Sequence, residues 1–491
     1  MATCDTCTLI NLPGAIICEA CSAFLSPVDG AICPETRDDS ETAPRTPRRF
    51  LVTARRLWDG LSDVCIEGEC GVGVAVDDDG RIIWCGRLEY LPGHLMGMDL
   101  PTLEDHRDAD STLMPGLIDS HVHMEFDPGH GLHTQPRLDD AAHMAAMQAR
   151  ARNMLAHGIT TARDLGGRGG ALALRDLISS GRCSGPRLLC AGQAITVPRG
   201  HCHQWGGEAD GVDAVRRVAQ RQLRAPTSAD VVKIMATGGV RTAGTNPAEA
   251  AFTLEEVAAC VEEAAAAGRP CAAHAHGVKG IANAAEAGVS TIEHCSWVSQ
   301  YGSWGNDEAR ITDMIARKGI FVCPTIGAGW ANIPSLQSAM APALRRMRNA
   351  GVRLIAGSDA GAIPNLLHHR LADGLCVMAR CAEQSHAEAL RSATSEAAEA
   401  LGISASCGRL AEGFSADLIV VNGDPVADLE ALCSPLLAVV CRGQVVEPCG
   451  RDAPGRPPPR PATWSLGWPG GREGPSGVGS SGRCACVRGY R

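Results

Sequence analysis

The sequence predicts an α/β protein in which a (β/α)8 TIM barrel carries a small β-sandwich and is preceded by a zinc finger. Three observations lead to this architecture: eight strand-then-helix patterns between 113 and 402, short strand patterns on both sides of that segment, and paired cysteines near the start of the chain. Repeated strand–helix units are typical of parallel sheets covered by helices. A doubly wound open sheet is the alternative, and the count of eight favours the barrel.

The barrel segment is read from apolar runs, amphipathic stretches and the glycines that separate them. Its strand patterns begin near Leu113, Ile159, Arg187, Asp230, Pro270, Ser290, Ile320 and Val352. Its clearest helix patterns cover 139–156, 211–224, 253–267 and 337–350.

The flanking segments have the composition of a small β domain. Residues 50–112 contain short strand patterns joined by the turn Asp77-Asp78-Asp79-Gly80, and strand patterns return after 402. The predicted domains are a zinc finger over 1–25, a linker over 26–49, the N-terminal part of the β-sandwich over 50–112, the barrel over 113–402, the C-terminal part of the sandwich over 403–448 and a disordered tail over 449–491.

The N-terminal cysteines predict a structural zinc site. Two CxxC pairs supply the thiolates, namely Cys4, Cys7, Cys18 and Cys21, and this spacing suits one tetrahedral zinc ion. A segment this short has no hydrophobic core of its own, so the metal would supply its folding energy.

Overall composition excludes several classes of protein. The net charge of −10 argues against broad nucleic-acid binding. No apolar run approaches the roughly 18 residues that span a bilayer, and the N-terminus lacks the features of a secretory signal. Most of the 23 cysteines lie in apolar stretches, which favours a reducing, cytoplasmic location.

Metal-ligating side chains stand where the predicted barrel strands end, the edge at which such barrels carry their chemistry. The first strand ends in His121 and His123, which share one face because strand side chains alternate. Later strands end in Lys233, in His274 and His276, in His294 and in Asp359. Nitrogen and oxygen donors of this kind suit zinc, ahead of manganese, iron or cobalt.

Lys233 has two interpretations. Its neighbours are apolar, and burial would leave a neutral, nucleophilic amine that adds carbon dioxide to form a carbamate. A carbamate has two oxygens and is able to bridge two metals. Alternatively, Lys233 forms an ion pair at the barrel rim.

Single members of this set have ordinary explanations. A lone HxH string arises by accident, Asp359 suits a helix N-cap, and His294 suits a hydrogen-bonded core histidine. The joint pattern of matching donors at five separate strand ends favours a metal centre.

The strings that carry these residues resemble the amidohydrolase superfamily, and the resemblance covers residues 50–446. They are MPGLIDSHVH at 114–123, KIMATGG at 233–239, HAHG at 274–277, IEH at 292–294, GSDAG at 357–361 and ADLIVVNGDP at 416–425. The chain is most similar to the imidazolonepropionase-like and prolidase-like branch, which includes dipeptidases and N-acyl amino-acid amidases.

The resemblance implies a two-metal site. One divalent ion, with zinc favoured, would be held by His121, His123 and Asp359, and the other by His274 and His294. Carboxylated Lys233 would bridge them, and His276 is the less favoured ligand of its pair.

The resemblance also implies substrate contacts and a reaction. Contacts are expected from Arg199, His201 and His203, and from the loop that contains Gly239 and Arg241. The reaction would be hydrolysis of a small amide or dipeptide by a metal-activated hydroxide, with Asp359 as the base. His201 or His203 would steady the oxyanion or bind a carboxylate. The two arginines suit a substrate carboxylate, although charged residues on a solvated loop are the more common explanation.

The finger resembles small zinc fingers of the Ran-binding-protein type, some of which bind ubiquitin. The ubiquitin-binding Thr-Phe pair is half kept here, as Thr8 and Leu9, and Ala20 stands between the last two cysteines. Arginine and aromatic side chains that bind RNA in other members are absent from this finger. A purely structural or decayed finger is the alternative.

Two other functions stay open. One is a cyclic-amide hydrolase or deaminase that uses the same metals. The other is an inactive barrel that serves as an adaptor for ubiquitin or another protein. Family analogy also raises a homo-oligomer as an expectation.

Overall fold

The computed structural model describes residues 17–18, 23–24, 49–98, 100–130, 135, 137–225 and 228–449. Three of the predicted finger ligands, Cys4, Cys7 and Cys21, lie outside the described residues, as do 26–48 of the predicted linker and 450–491 of the predicted tail. Cys18 lies in a short strand whose side chains are not described.

Strands and helices alternate through the central part of the chain. The strands are β1 (Ile17–Cys18), β2 (Ala23–Phe24), β3 (Phe50–Leu57), β4 (Ile66–Val76), β5 (Ile82–Arg87), β6 (Thr102–His106), β7 (Ser111–Pro115), β8 (Leu117–Val122), β9 (Ile159–Asp164), β10 (Arg187–Cys190), β11 (Val232–Met235), β12 (Cys271–Gly277), β13 (Thr291–Val298), β14 (Phe321–Cys323), β15 (Leu418–Asn422), β16 (Ala438–Cys441) and β17 (Gln444–Val446). The helices are α1 (Gly93–Met96), α2 (Asp140–Ala156), α3 (Gly170–Ser179), α4 (Val212–Leu223), α5 (Leu254–Ala266), α6 (Val278–Ala287), α7 (Ala309–Arg317), α8 (Pro334–Asn349), α9 (Leu371–Ala382), α10 (His386–Ser392) and α11 (Ser395–Ala400).

Local sequence explains where two of the helices, α5 and α10, begin. Thr253 caps α5 by accepting a hydrogen bond from the Glu256 amide, while the Glu256 side chain accepts one from the Thr253 amide. Ser385 and Glu388 form the same reciprocal arrangement at α10. These capping boxes satisfy amides that have no partner within the helix.

The central strands form two parallel sheets. One has the order β10-β9-β8 and the other the order β11-β12-β13-β14. Parallel bridges join Ile195 to Ile234 and Val322 to Leu354, and the Ser120 amide donates to the Ala356 carbonyl 3.0 Å away. This α/β arrangement, with its helices between successive parallel strands, is consistent with the predicted (β/α)8 barrel.

The first parallel strand begins later than predicted. The apolar run near Leu113 divides at Gly116: β7 ends at Pro115 and pairs antiparallel with β15, while β8 begins at Leu117 and pairs with β9. Proline has no amide to donate to a sheet. A Cβ on Gly116 would lie 2.2 Å from the Thr160 hydroxyl oxygen, so the divide also requires glycine. The prediction of one continuous strand was therefore wrong.

Strands from both flanks meet in one sheet. Its order is β17-β16-β15-β7-β3-β4-β5, with β6 beside β3, so segments from before and after the parallel sheets pair directly. Its apolar face buries Phe50, Val52, Val74, Leu418 and Val420, and burial of this kind stabilises the association of the two flanks.

A second, larger core packs the helices against the parallel strands. It is built mainly from alanine, leucine, valine and isoleucine, and it includes the fully buried Trp297. Among the described residues, no helix is long and apolar enough to span a bilayer.

Candidate metal centre

Buried polar side chains from the predicted strand ends come together in two groups of metal-ligating atoms. The first group is His121, His123 and Asp359, and the second is His274, His276 and His294. Within each group the ligand atoms lie within 4.8 Å of one another. The parallel strands bring them together because their carboxyl ends share one edge.

The first group has the spacing of ligands around one small cation. The Asp359 Oδ1 atom lies 3.4 Å from His121 Nε2 and 3.3 Å from His123 Nε2. Two donors that are each about 2.1 Å from a tetrahedral zinc ion are separated by about 3.4 Å. Backbone pairing fixes this spacing, since the Asp359 amide donates to the His121 carbonyl at 2.8 Å.

Hydrogen bonds to the other ring nitrogens orient both histidines of this group. The Nδ1 atom of His121 lies 2.8 Å from Glu293 Oε2, and that of His123 lies 2.7 Å from the Gly166 carbonyl. Both partners accept, so each Nδ1 donates its proton. This tautomer leaves each Nε2 lone pair free to bind a metal.

The second group is packed ring against ring. The His274 centroid lies 4.5 Å from that of His294 and 4.6 Å from that of His276. The Nδ1 atom of His294 is 2.8 Å from the Thr325 hydroxyl, and that of His276 is 2.9 Å from the Ser296 hydroxyl. His276, the less favoured ligand by resemblance, therefore lies as close to the group as its partners.

Two of these residues adopt a left-handed backbone. His294 has φ 68° and Asp359 has φ 55°, a conformation that residues other than glycine rarely adopt. Such strain is retained where the surrounding structure holds it, and it concentrates at functional sites.

Lys233 lies in the interior and not at the rim. Its side chain is 1% exposed, and its Nζ atom has no hydrogen-bond or ion-pair partner among the described residues. Burial lowers the pKa of Lys233 to about 8, against the opposing influence of Glu293 and Asp359. The described structure therefore offers no partner for the ion pair that was the alternative interpretation of Lys233.

Burial also keeps most of the histidines neutral. It lowers the pKa of His121 and His276 to about 4 and that of His201 to about 3, and it lowers the pKa values of His274 and His294 well below the ordinary range. The neutral imidazole is the form that coordinates metals. This cluster, with its unpartnered Lys233 amine, fits a pair of divalent cations.

Asp359 carries the negative charge of the cluster. Burial would raise the pKa of its carboxyl group, but the neighbouring imidazoles of His123 and His121 lower it below the usual value. Conversely, burial would lower the pKa of His123, and the Asp359 carboxylate raises it.

The predicted substrate contacts divide into a buried pair and an exposed set. His201 is buried 4.5 Å from the His274 ring and bonds Thr242 through Nδ1 at 2.8 Å, and Gly239 packs against it. Arg199 and Arg241 are exposed on the neighbouring loops, and half-buried His203 bonds the Gly200 carbonyl.

Comparison with known proteins identifies the family. The model of the amidohydrolase family matches residues 112–446. The chain belongs to the amidohydrolase family. As a member of this family, the protein is a hydrolase that acts on carbon–nitrogen bonds.

Individual relatives have related activities. Ochratoxinase of Aspergillus niger is 29% identical over 396 residues, which cover 70% of this amidohydrolase and 78% of the relative. Imidazolonepropionase of Acidiphilium cryptum is 27% identical over 421 residues, or 77% of this chain and 96% of the relative. A solved Xaa-Pro dipeptidase with methionine bound in its active site is 27% identical, has a TM-score of 0.69, and matches over 81% of this chain and 99% of its own.

Sequence reasoning missed the residues that hold the amidohydrolase ligands in place. Glu293 is fully buried and accepts hydrogen bonds from His121 and, at 2.9 Å, from Arg163. The sequence does contain one indication of this pair. Arg163 in β9 and Glu293 in β13 are charged residues inside apolar strands, where unpaired charges are rare.

Proposed function

We propose that this chain is a metal-dependent amidase of the dipeptidase-like, prolidase-like or N-acyl amino-acid amidase kind. One observation carries the proposal: the Asp359 carboxylate lies within 3.4 Å of two histidine nitrogens, beside a buried and unpartnered lysine. We further propose that the parallel strands close into the (β/α)8 barrel and that its open end admits the substrate.

The proposed metal ligands follow the two groups. His121, His123 and Asp359 would hold one divalent ion, and His274 and His294 would hold the second, with His276 available to either the metal or the substrate. Lys233, as its carbamate, would be a further ligand. Bound zinc ions would act as Lewis acids that lower the pKa of water and polarise a substrate carbonyl.

The proposed proton carrier is Asp359. Its Oδ1 atom makes no hydrogen bond among the described residues, so the carboxylate would be able to accept a proton from the attacking water. It then delivers this proton to the leaving nitrogen. A carboxylate that accepts and returns a proton in this way links the two halves of amide hydrolysis.

His201 is proposed to contact the substrate carbonyl or carboxylate. Its Nδ1 atom bonds the Thr242 hydroxyl, and its Nε2 atom lies 3.4 Å from the Cys202 thiol, a weak partner that a substrate oxygen would replace. Arg199 and Arg241 lie exposed on the loops around His201 and supply the planar donor pairs that suit a carboxylate. A substrate with a free carboxylate next to the scissile amide would use both features.

A cyclic amide is the second candidate substrate, and the imidazolonepropionase similarity favours it. Zinc in the finger, binding of ubiquitin through it, a cytoplasmic location and a homo-oligomer remain predictions.

The test is a substrate panel on zinc-loaded, full-length protein. We would offer Xaa-Pro and Xaa-Arg dipeptides, N-acyl amino acids, their C-terminal amides and a set of lactams, and measure amine release by mass spectrometry. The proposal expects cleavage of the free acids, poor cleavage of the amides and none of the lactams. Cleavage of lactams alone would support the cyclic-amide alternative, and a metal-loaded protein that cleaves none of the panel would contradict the proposal.

A further inference from the structure

A buried chain of charges runs from β9 to the first metal group. Arg163 is 1% exposed, Glu293 is fully buried and His121 is 1% exposed. The Arg163 guanidinium donates to Glu293 Oε1 at 2.9 Å, and Glu293 Oε2 accepts from His121 Nδ1 at 2.8 Å. The carboxylate therefore lies between a permanent cation and a histidine ring whose other nitrogen faces Asp359.

The arginine and the carboxylate are both held on further sides. Arg163 donates to the Ser120 carbonyl at 2.8 Å and to the Thr291 hydroxyl at 3.2 Å. The Thr291 hydroxyl in turn donates to Glu293 Oε1. These bonds restrict the rotation of both charged side chains. Glu293 therefore holds the His121 ring in one orientation through its bond to Nδ1.

The second metal group has a different kind of support. His294 and His276 bond neutral hydroxyls, those of Thr325 and Ser296. His123, in the first group, bonds a neutral backbone carbonyl. Among the described residues, His121 is the one member of either group whose second ring nitrogen bonds a carboxylate.

This difference has a consequence for metal affinity. A carboxylate that accepts the Nδ1 proton makes the imidazole a better electron donor at Nε2, and loss of such a partner typically lowers metal affinity about 10- to 100-fold. A hydroxyl partner orients the ring but adds no negative charge, and because it both donates and accepts it does not fix the tautomer.

We propose that Arg163 and Glu293 are positioning residues that make the His121–His123–Asp359 site the tighter of the two metal sites. The site of His274 and His294, where the ring partners are the neutral Gly238 carbonyl and the neutral Thr325 hydroxyl, is then the exchangeable one. The inference rests on the proposed metal-dependent function, and it adds the order in which the two metal ions bind and are lost.

The test is a titration of the stripped, full-length protein with cobalt(II) alone, followed by visible absorption and by competition with a chromophoric chelator. The wild type should load in two separate steps. Glu293→Gln should weaken the first step about 10- to 100-fold and leave the second unchanged. Thr325→Val should weaken the second step and leave the first unchanged, since it removes the hydroxyl behind His294.

The matched control is Asp417→Asn. Asp417 is also a buried carboxylate paired with an arginine, Arg187 at 3.1 Å, but it belongs to the flanking sheet. This variant should keep both loading steps while losing stability. If Glu293→Gln does not fold, Arg163→Lys tests the same idea, because lysine keeps the cation but loses the planar fork; it should weaken the first step alone.

The outcomes separate this inference from the proposed function. A wild type that binds no cobalt overturns both. Two steps in the wild type that Glu293→Gln leaves unchanged, or that it weakens equally, overturn the inference and leave the proposed function standing. Selective weakening of the first step, with Asp417→Asn unchanged, supports it.

Discussion

Gly239 lies so close to His201 that a Cβ at position 239 would fall 2.2 Å from the imidazole Nδ1 atom. The His201 ring also lies close to that of His274, with centroids 4.5 Å apart. The ring is therefore packed near both a glycine and a proposed metal ligand, and the bond to Thr242 sets its rotation. Gly239 remains a predicted substrate contact, and its lack of a side chain leaves room for His201.

Replacement of Gly239 should therefore displace His201. We expect Gly239→Ala to lower kcat/KM about 100-fold, because an error of about 1 Å in a positioned group has that effect. The control is Gly97→Ala, whose Cβ would meet nothing closer than 3.8 Å and which should retain full activity. Measurement of kcat/KM on the best substrate of the panel decides the matter, and an unchanged value for Gly239→Ala would show that His201 does not contact the substrate.

Asp359 should be indispensable for turnover but replaceable as a ligand. We expect Asp359→Asn to lower kcat by about 10² to 10⁴, the contribution of a positioned acid–base group. The amide oxygen still faces His121 and His123, so metal content should stay close to that of the wild type. Metal analysis and steady-state kinetics on the same sample check both statements. Activity within threefold of the wild type would remove Asp359 from the role of base.

The chain offers an unusually clean test for carboxylation of Lys233. It has three lysines, and the other two, Lys279 and Lys318, are exposed. After zinc loading in ¹³C-bicarbonate, one carbamate carbon signal should appear in the NMR spectrum. We expect the signal to vanish in Lys233→Met and to persist in Lys279→Met.

The same variant has a kinetic consequence. Lys233→Met should lose activity because it removes the proposed bridging group, and added formate should restore part of it, since a free carboxylate is able to occupy the same place. Lys279→Met serves as the matched control and should behave as wild type. A wild-type spectrum without a carbamate signal would rule out the modification.

The sequence predicted which polar side chains come together, because their meeting depends on local patterns. Parallel strands end at a shared edge, so a donor after each apolar run is enough to place His121, His274 and Asp359 together. The division of the apolar run near Leu113 into two strands at Gly116 was not predicted. Glycine is required there because Thr160 approaches closely, and that approach is a tertiary contact.

The role of Glu293, whose carboxylate lies behind His121, was not predicted for a different reason. Neighbouring side chains of an ideal strand point to opposite faces, yet Glu293 bonds His121 while the adjacent His294 lies 4.5 Å from His274. The left-handed φ of 68° at His294 breaks the alternation. No pattern in the neighbouring residues predicts that angle, since the surrounding packing imposes it.

Removal of metal should lower the stability of the folded protein. The centre buries the Lys233 amine and the Asp359 Oδ1 atom without hydrogen-bond partners, and unpaired buried polar groups are costly. Bound metal offsets that cost, and an ion present at 1,000 times its Kd adds about 4 kcal/mol to the free energy of unfolding. We expect a chelator to lower the Tm measured by calorimetry and added zinc to restore it. The shift should be smaller in Glu293→Gln, which binds the first ion less tightly, and should keep its full size in Asp417→Asn. Equal Tm values for the wild type with chelator and with zinc would contradict a metal centre at this cluster.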